Sequence, residues 1–134
     1  MTGPGRWIAR ADCDDDGALT LSYVVVLPVV FMFFMVVIQA SFWFLAREAA
    51  LAAARQGADA ARALDASLTA GPAAALAFAR QSGSGYLLDP KASTGGSSAS
   101  TISVTVSGRV PSFVPGLVVR VSETAQAPVE EFQP

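Results

Sequence analysis

Residues 18–45 read ALTLSYVVVLPVVFMFFMVVIQASFWFL, and none of these side chains carries a charge. About 20 apolar residues, at a rise of about 1.5 Å each, form a helix long enough to cross the ~30 Å hydrocarbon layer of a membrane. The stretch therefore predicts a transmembrane helix. Tyr23 and Trp43 stand near its two ends, which is where aromatic rings meet the membrane interfaces.

A soluble core helix and a cleaved signal peptide both fit this stretch less well. A core helix of a soluble domain would carry polar residues every few positions, whereas residues 24–38 contain no polar side chain. A cleaved signal peptide would have an apolar core of about 7–15 residues and then a small-residue cleavage site. The apolar core here is longer than that, and it continues past residue 45 into an alanine-rich segment without a break.

Composition limits the chemistry open to the chain. The 134 residues include 9 basic and 11 acidic side chains, for a net charge of −2, so no basic footprint for nucleic acid is present. Histidine is absent and Cys13 is the single cysteine. This excludes an intrachain disulfide, zinc sites of the Cys/His type, and Ser-His or Cys-His catalysis. We expect no enzymatic activity, no cofactor and no catalytic or metal-binding residues.

The acidic residues near the N-terminus also predict no cation site. Adjacent carboxylates in a flexible leader repel each other, and they lack the spacing and the glycine of a calcium loop. They are interpreted as a solvated acidic run, formed by Asp12, Asp14, Asp15 and Asp16.

The chain divides into four predicted parts. Residues 1–17 form a cytoplasmic leader and residues 18–45 the transmembrane helix. Residues 46–70 continue that helix in alanine-rich sequence, and residues 71–134 form a small extracytoplasmic unit with a short helix and a β-hairpin. The predicted fold is α+β and membrane-anchored: one long N-terminal helix, a short helix and a small antiparallel sheet. The long helix is expected to be continuous, with at most a bend at Pro28.

The alanine-rich part predicts a helix with one face of small residues. Alanine, leucine and arginine favour helix, and no stop signal occurs before Gly71-Pro72. The small face either packs on the β-unit of the same chain or contacts neighbouring helices in an assembly. Its members recur at three- and four-residue steps: Ala46, Ala50, Ala53, Gly57, Ala61, Leu64 and Leu68.

The remaining sequence predicts one short helix and two strands. Residues 72–81 form the helix, with Leu76 and Phe78 to bury. Residues 82–100 are loop, which Tyr86, Leu87 and Leu88 anchor, either without regular structure or as a brief strand. Alternation of apolar and polar side chains predicts strands over residues 101–110 and 117–127. Pro115-Gly116 between them predicts a type II turn, so the strands should pair antiparallel.

The order of these features resembles the TadE-like family, minor pilins or pseudopilins of the tight-adherence branch of type IV pilus machinery. The resemblance starts with an acidic leader that ends in glycine, followed by GALTLSY from Gly17 to Tyr23, and a Leu27-Pro28 pair inside the apolar stretch. It continues with AAARQGA over residues 52–58. The strands around residues 118–132 resemble the actinobacterial members of the family.

This resemblance implies processing by a prepilin peptidase after Gly17, on the cytoplasmic face. Ala18 would then be the new N-terminus, with Ser22 and Tyr23 fifth and sixth. Pilin-like proteins usually carry glutamate at the fifth place, and Ser22 departs from that pattern. The implied assembly positions are Ser22, Tyr23 and Pro28, and the implied partners are the membrane, other pilins or pilus-assembly proteins contacting the N-terminal helix, and the peptidase.

Two functional hypotheses follow from this sequence. The first is a TadE-like minor pilin or pseudopilin that assembles or primes a tight-adherence pilus or a related secretion apparatus. The alternative is an unprocessed single-pass anchor whose small outer domain binds an envelope or secretion partner. A mature N-terminus at Ala18 would favour the first hypothesis and an intact leader the second.

Both hypotheses place the chain in the cell membrane, with a cytoplasmic N-terminus and an extracytoplasmic C-terminal domain. The arginines do not decide this orientation, because they flank the apolar stretch on both sides. The exported character of the serine- and threonine-faced hairpin and the family resemblance favour it instead.

Overall fold

The computed structural model describes residues 14–63 and 69–129, with side chains from residue 22 onward. Two helices and three strands follow one another in this part of the chain: α1 (Asp14–Arg62), α2 (Ala70–Ser82), β1 (Leu88–Ser93), β2 (Thr101–Val110) and β3 (Val119–Pro128). The strands form one antiparallel sheet in the order β1-β2-β3. The predicted α+β arrangement is confirmed.

The chain separates into two compact units, Met1–Val36 and Val37–Pro134. The described part of the first unit consists of α1 residues alone, with Pro28 inside the helix. The second unit contains the rest of α1, α2 and the sheet. Because α1 has no loop between residues 45 and 58, the prediction of a helix continuous through that region is confirmed.

The predicted end of this helix is wrong. The sequence placed it at Ala70, whereas α1 ends at Arg62 and α2 already begins at Ala70. A Cβ placed on Gly57 would lie 2.7 Å from the carbonyl oxygen of Gly71. In one continuous helix these two residues would be about 21 Å apart. α1 and α2 are therefore separate helices, which come close together at Gly57 and Gly71.

Strand β2 occupies the predicted residues, Thr101–Val110, and pairs with β3 from Thr101↔Pro128 to Val110↔Val119. Its apolar face is confirmed, since Ile102, Val104 and Val106 are buried. Strand β3 begins two residues later than predicted, at Val119. Leu117 precedes it and remains exposed, because it belongs to the turn between the strands.

Strand β1 corrects the prediction that residues 82–100 are mostly loop: the strand begins at Leu88, the last residue of the brief strand considered there, and extends to Ser93. β1 lies at the edge of the sheet and pairs with β2, with an irregular register between Leu88 and Lys91. Asp89 has a φ of 48° and Pro90 follows it. A proline and a bulge fit an edge strand, because only one side of that strand donates to the ladder.

The core of the second unit is built from alanine on the helices and from β-branched residues on the sheet. Val104 and Val106 are the largest fully buried side chains among the described residues. On α2 the buried residues are Gly71, Ala75 and Ala79, whereas Leu76 and Phe78 are only half-buried. Small side chains let the helices and the sheet approach closely, so that deep positions hold alanine and glycine.

The small face predicted on α1 is confirmed within the described residues, and it packs on the chain's own sheet and α2. Ala46, Ala50 and Ala53 are fully buried, and a Cβ on Gly57 would meet Val104 Cγ1 at 3.0 Å. Leu64 and Leu68 lie outside the described residues. Since Gln39 contacts Pro111 while Gly57 contacts Val104, α1 and β2 run in opposite directions.

Candidate functional site

The apolar surface of α1 is the largest candidate for a functional surface. The helical segment Ser22–Arg62 contains an 18-residue window with a mean hydropathy of 2.5, and 0% of that window is buried. Phe31, Met32 and Phe33 are each more than 60% exposed. A helix in the core of a soluble protein would instead be mostly buried. The chain thus has a helix long and apolar enough to span a membrane.

The residues predicted from the family resemblance all lie on α1. Gly17 and Ala18 are in the first turns of the helix, in a part whose side chains are not described. Ser22 is exposed, Tyr23 is 71% exposed, and Pro28 lies inside the helix. The cleavage and assembly roles of these residues stay predictions.

The polar residues at the C-terminal end of the apolar stretch have partners within the protein. The Ser41 hydroxyl donates to the carbonyl oxygen of Val37 at 2.8 Å, one helical turn back. Gln39 Nε2 donates to the Pro111 carbonyl oxygen at 3.0 Å, and the Phe113 backbone N–H donates to Gln39 Oε1 at 3.2 Å. The Ser41 hydroxyl and the Gln39 amide therefore have hydrogen-bond partners within the protein, as a position close to lipid requires.

Gln39 thereby holds the loop between β2 and β3, residues 111–118, against α1. Phe42 of α1 adds an edge-to-face contact with Phe113, with ring centroids 5.5 Å apart. Within the loop, the Leu117 N–H donates to the Val114 carbonyl oxygen at 3.2 Å, and Gly116 has a φ of 80°. The predicted type II turn at Pro115-Gly116 is confirmed.

The β2–β3 loop exposes an unusual amount of apolar surface, which sequence reasoning missed. Phe113, Val114, Leu117 and Val118 are 54%, 53%, 48% and 63% exposed. A short hairpin loop is normally polar. The signal was present in the sequence as SFVPGLVV, residues 112–119, in which apolar residues flank the turn on both sides.

Replacing Gln39 with alanine is expected to release this loop. Each lost hydrogen bond lowers the free energy of opening the loop by about 0.5–1.5 kcal/mol. Exchange of the Phe113 amide hydrogen should therefore become about tenfold faster. Hydrogen exchange measured by NMR on the detergent-solubilised chain tests this. The matched control is Ser41→Ala, whose hydroxyl bonds only within α1. Unchanged exchange at Phe113 in Gln39→Ala would contradict the contact.

A second feature is an open groove of about 660 Å³ on the sheet, at the end next to the β2–β3 loop. Arg109 and Arg120 are partners across the β2–β3 ladder, and Ser107 pairs with Ser122 one step further. Arg109 forms an ion pair with Asp89. The groove is lined by Asp89, Lys91, Ser107, Gly108, Arg109, Arg120, Val121 and Ser122. Three cations and one carboxylate make it basic.

The groove combines hydroxyl groups with charged side chains. Within residues 14–63 and 69–129, no group of three or more His, Cys, Asp or Glu side chains is placed to hold a metal ion. Its hydroxyls, Ser107 and Ser122, lie on the polar face of the sheet beside arginines. The cations of this arrangement can bind an anion.

These features define a class of protein: a chain with one N-terminal helix able to span a membrane, continued into a small α+β unit. Residues 17–59, about a third of the chain, match the model of a family described as TadE-like protein. The match confirms the family resemblance and indicates a pilin-like protein associated with the Tad pilus. No curated protein and no solved structure matches the chain.

Proposed function

We propose that this chain is a minor pilin or pseudopilin that primes or tips a tight-adherence pilus or a related secretion apparatus. The observation that carries the proposal is the family match over residues 17–59, which covers the exposed apolar part of α1. An apolar helix surface of this extent requires lipid before assembly and neighbouring helices after it. The small-residue face of the alanine-rich continuation is already covered within the chain, so the apolar helix surface left for partners lies N-terminal to Ala46.

Ser22 favours a position at the tip. In a pilin-type filament, a carboxylate near the start of the helix can pair with the terminal amine of a neighbouring subunit inside the apolar core. Serine cannot neutralise that amine, and a buried unpaired charge costs several kcal/mol. A subunit at the tip has no neighbour above it and escapes this requirement on one side. We therefore expect very few copies in each assembly.

Quantitative immunoblotting of sheared surface filaments tests the tip assignment. The wild-type chain is expected at a small fraction of the main pilin, and Ser22→Glu is expected to leave that fraction unchanged or lower. Ser22→Ala, which changes no charge, is the matched control. Wild-type chain as abundant as the main pilin, or a strong increase in Ser22→Glu, would show that the chain is an ordinary filament subunit.

The topology is tested separately with Cys13, the single cysteine of the chain. A maleimide that cannot cross membranes is expected to label Cys13 of the unprocessed chain only after the cells are opened, because the proposal puts residues 1–17 in the cytoplasm. Cys13→Ser combined with Ser98→Cys moves the thiol to an exposed loop of the sheet, and this variant should be labelled in intact cells. Labelling of Cys13 in intact cells would overturn the proposed orientation.

A further inference from the structure

We propose that the β2–β3 loop is a second membrane contact, which inserts its apolar side chains into the interface that α1 crosses. The inference rests on the proposed membrane anchoring and goes beyond it, because it assigns lipid contact to the folded unit as well as to the helix. Phe113, Val114, Leu117 and Val118 surround one tight turn and are each about half exposed or more. This surface has no partner among the described residues, although Phe113 also touches Phe42 with one edge.

The position of the loop follows from its contacts with α1. Gln39 bonds to the backbone at Pro111 and Phe113, and Phe42 packs on the Phe113 ring. Gln39 and Phe42 belong to the last part of the apolar stretch, residues 37–45, which lies in the same compact unit as the sheet. If that stretch meets the lipid interface, the loop bonded to it meets the interface too.

The backbone of the loop is suited to a shallow apolar position. An unpaired N–H is costly in lipid. Pro111 and Pro115 carry no N–H, and the N–H groups of Phe113, Val114 and Leu117 donate to Gln39, to the Ser112 hydroxyl and to the Val114 carbonyl. The interface still contains water for the remaining donors, so the proposed depth is the boundary between headgroups and acyl chains.

The cationic side chains next to the loop fit the phosphate layer of a membrane, which lies directly outside the acyl chains. Arg109 and Arg120 are opposite one another, one ladder step behind the Val110↔Val119 pair that closes the loop. Lys91 lies beside them in the basic groove, where Asp89 is the single carboxylate. An apolar tip backed by cations places hydrocarbon contact and phosphate contact in the order in which a lipid monolayer presents them.

The shape of the tip favours lipid over a second copy of the chain. A protein partner would need a complementary hollow to cover a convex turn, whereas lipid adapts to any convex apolar surface. The polar side chains close to the tip, Gln39 and Ser112, already have hydrogen-bond partners inside the chain. A lipid surface therefore satisfies this region without further hydrogen bonds.

The test uses tryptophan fluorescence of the full chain reconstituted into vesicles of zwitterionic and anionic phospholipid. The native tryptophans, Trp7 and Trp43, are replaced by phenylalanine, and Phe113→Trp supplies the probe. The matched control is Ala99→Trp in the same background, an exposed position in the other hairpin loop. Trp7→Phe alone keeps Trp43 and reports on the helix. Quenching by acyl-brominated lipid is compared with quenching by aqueous iodide, and circular dichroism verifies folding.

The expected result is that the probe at position 113 and Trp43 are quenched by brominated lipid to a similar fraction, whereas the probe at 99 is quenched only by iodide. Lipid quenching of Trp43 without quenching at 113 would overturn the loop contact and leave the anchor intact. Absence of lipid quenching at both positions would overturn the anchor and the loop contact together. A probe at 113 shielded from both quenchers would show a protein partner on the loop and overturn the lipid assignment.

Discussion

Gly57→Ala is expected to destabilise the folded unit, even though alanine is the better helix former. The added Cβ would lie 2.7 Å from the Gly71 carbonyl oxygen, 2.8 Å from Ala75 Cβ and 3.0 Å from Val104 Cγ1. Helix propensity would contribute about 1 kcal/mol in favour of alanine. Overpacking against backbone that cannot rotate away outweighs it, and we expect a net loss of about 1–3 kcal/mol. Urea unfolding in detergent, followed by circular dichroism, measures the change.

Gly95→Ala is the control for this substitution. A Cβ at Gly95 meets nothing within 4 Å, so its effect should stay within about 0.5 kcal/mol. Gly57→Leu extends the series, and it is expected to prevent α2 from docking on α1. If Gly57→Ala raised the free energy of unfolding, the close approach of α1 and α2 would be contradicted.

Phe34→Asp is expected to remove most of the chain from the membrane fraction. Phe34 lies near the middle of the apolar stretch and is 57% exposed. An aspartate at the centre of a spanning helix costs about 2.5–3.5 kcal/mol for insertion. Alkaline extraction of membranes followed by immunoblotting of the pellet and supernatant measures the loss.

Two controls accompany Phe34→Asp. Phe34→Leu keeps the position apolar, and Gln56→Asp places the same charge on an exposed site of α1 beyond the apolar stretch. Both should remain in the membrane pellet. If Phe34→Asp remained there equally, the assignment of this stretch as the membrane-spanning segment would be wrong.

Local patterns in the sequence predicted the parts of the fold that depend on local physics. Strand β2 was placed correctly because Ile102, Val104 and Val106 alternate with hydroxyl side chains, a pattern typical of a half-buried strand. The turn at Pro115-Gly116 was predicted because proline and glycine have the backbone angles that this turn requires. The long helix followed from uninterrupted helix formers and apolar residues.

The errors occurred where distant contacts override local preference. No local signal in the sequence marks a helix end at Arg62, and the contact of Gly57 with Gly71 joins two helices that local preference would have fused. Strand β1 contains proline and charged residues, and it is a strand because β2 offers it an unpaired edge. The loop contact with Gln39 joins residues 72 positions apart, so no local pattern contains it. The basic groove likewise exists only once β1, β2 and β3 are paired.

The antiparallel packing of α1 on β2 has a consequence for the order in which the protein is made. Synthesis proceeds from the N-terminus, so α1 is complete before any strand exists, and Gly57 precedes its neighbour Val104 by 47 residues. During that interval the helix face that will become the core has nothing to cover it. Alanine is suited to this interval for two reasons. Its methyl group adds little exposed apolar area, and alanine has the highest helix propensity of all residues, so the helix depends least on tertiary contacts. The alanine face therefore limits the apolar area that the nascent chain exposes before its sheet has formed.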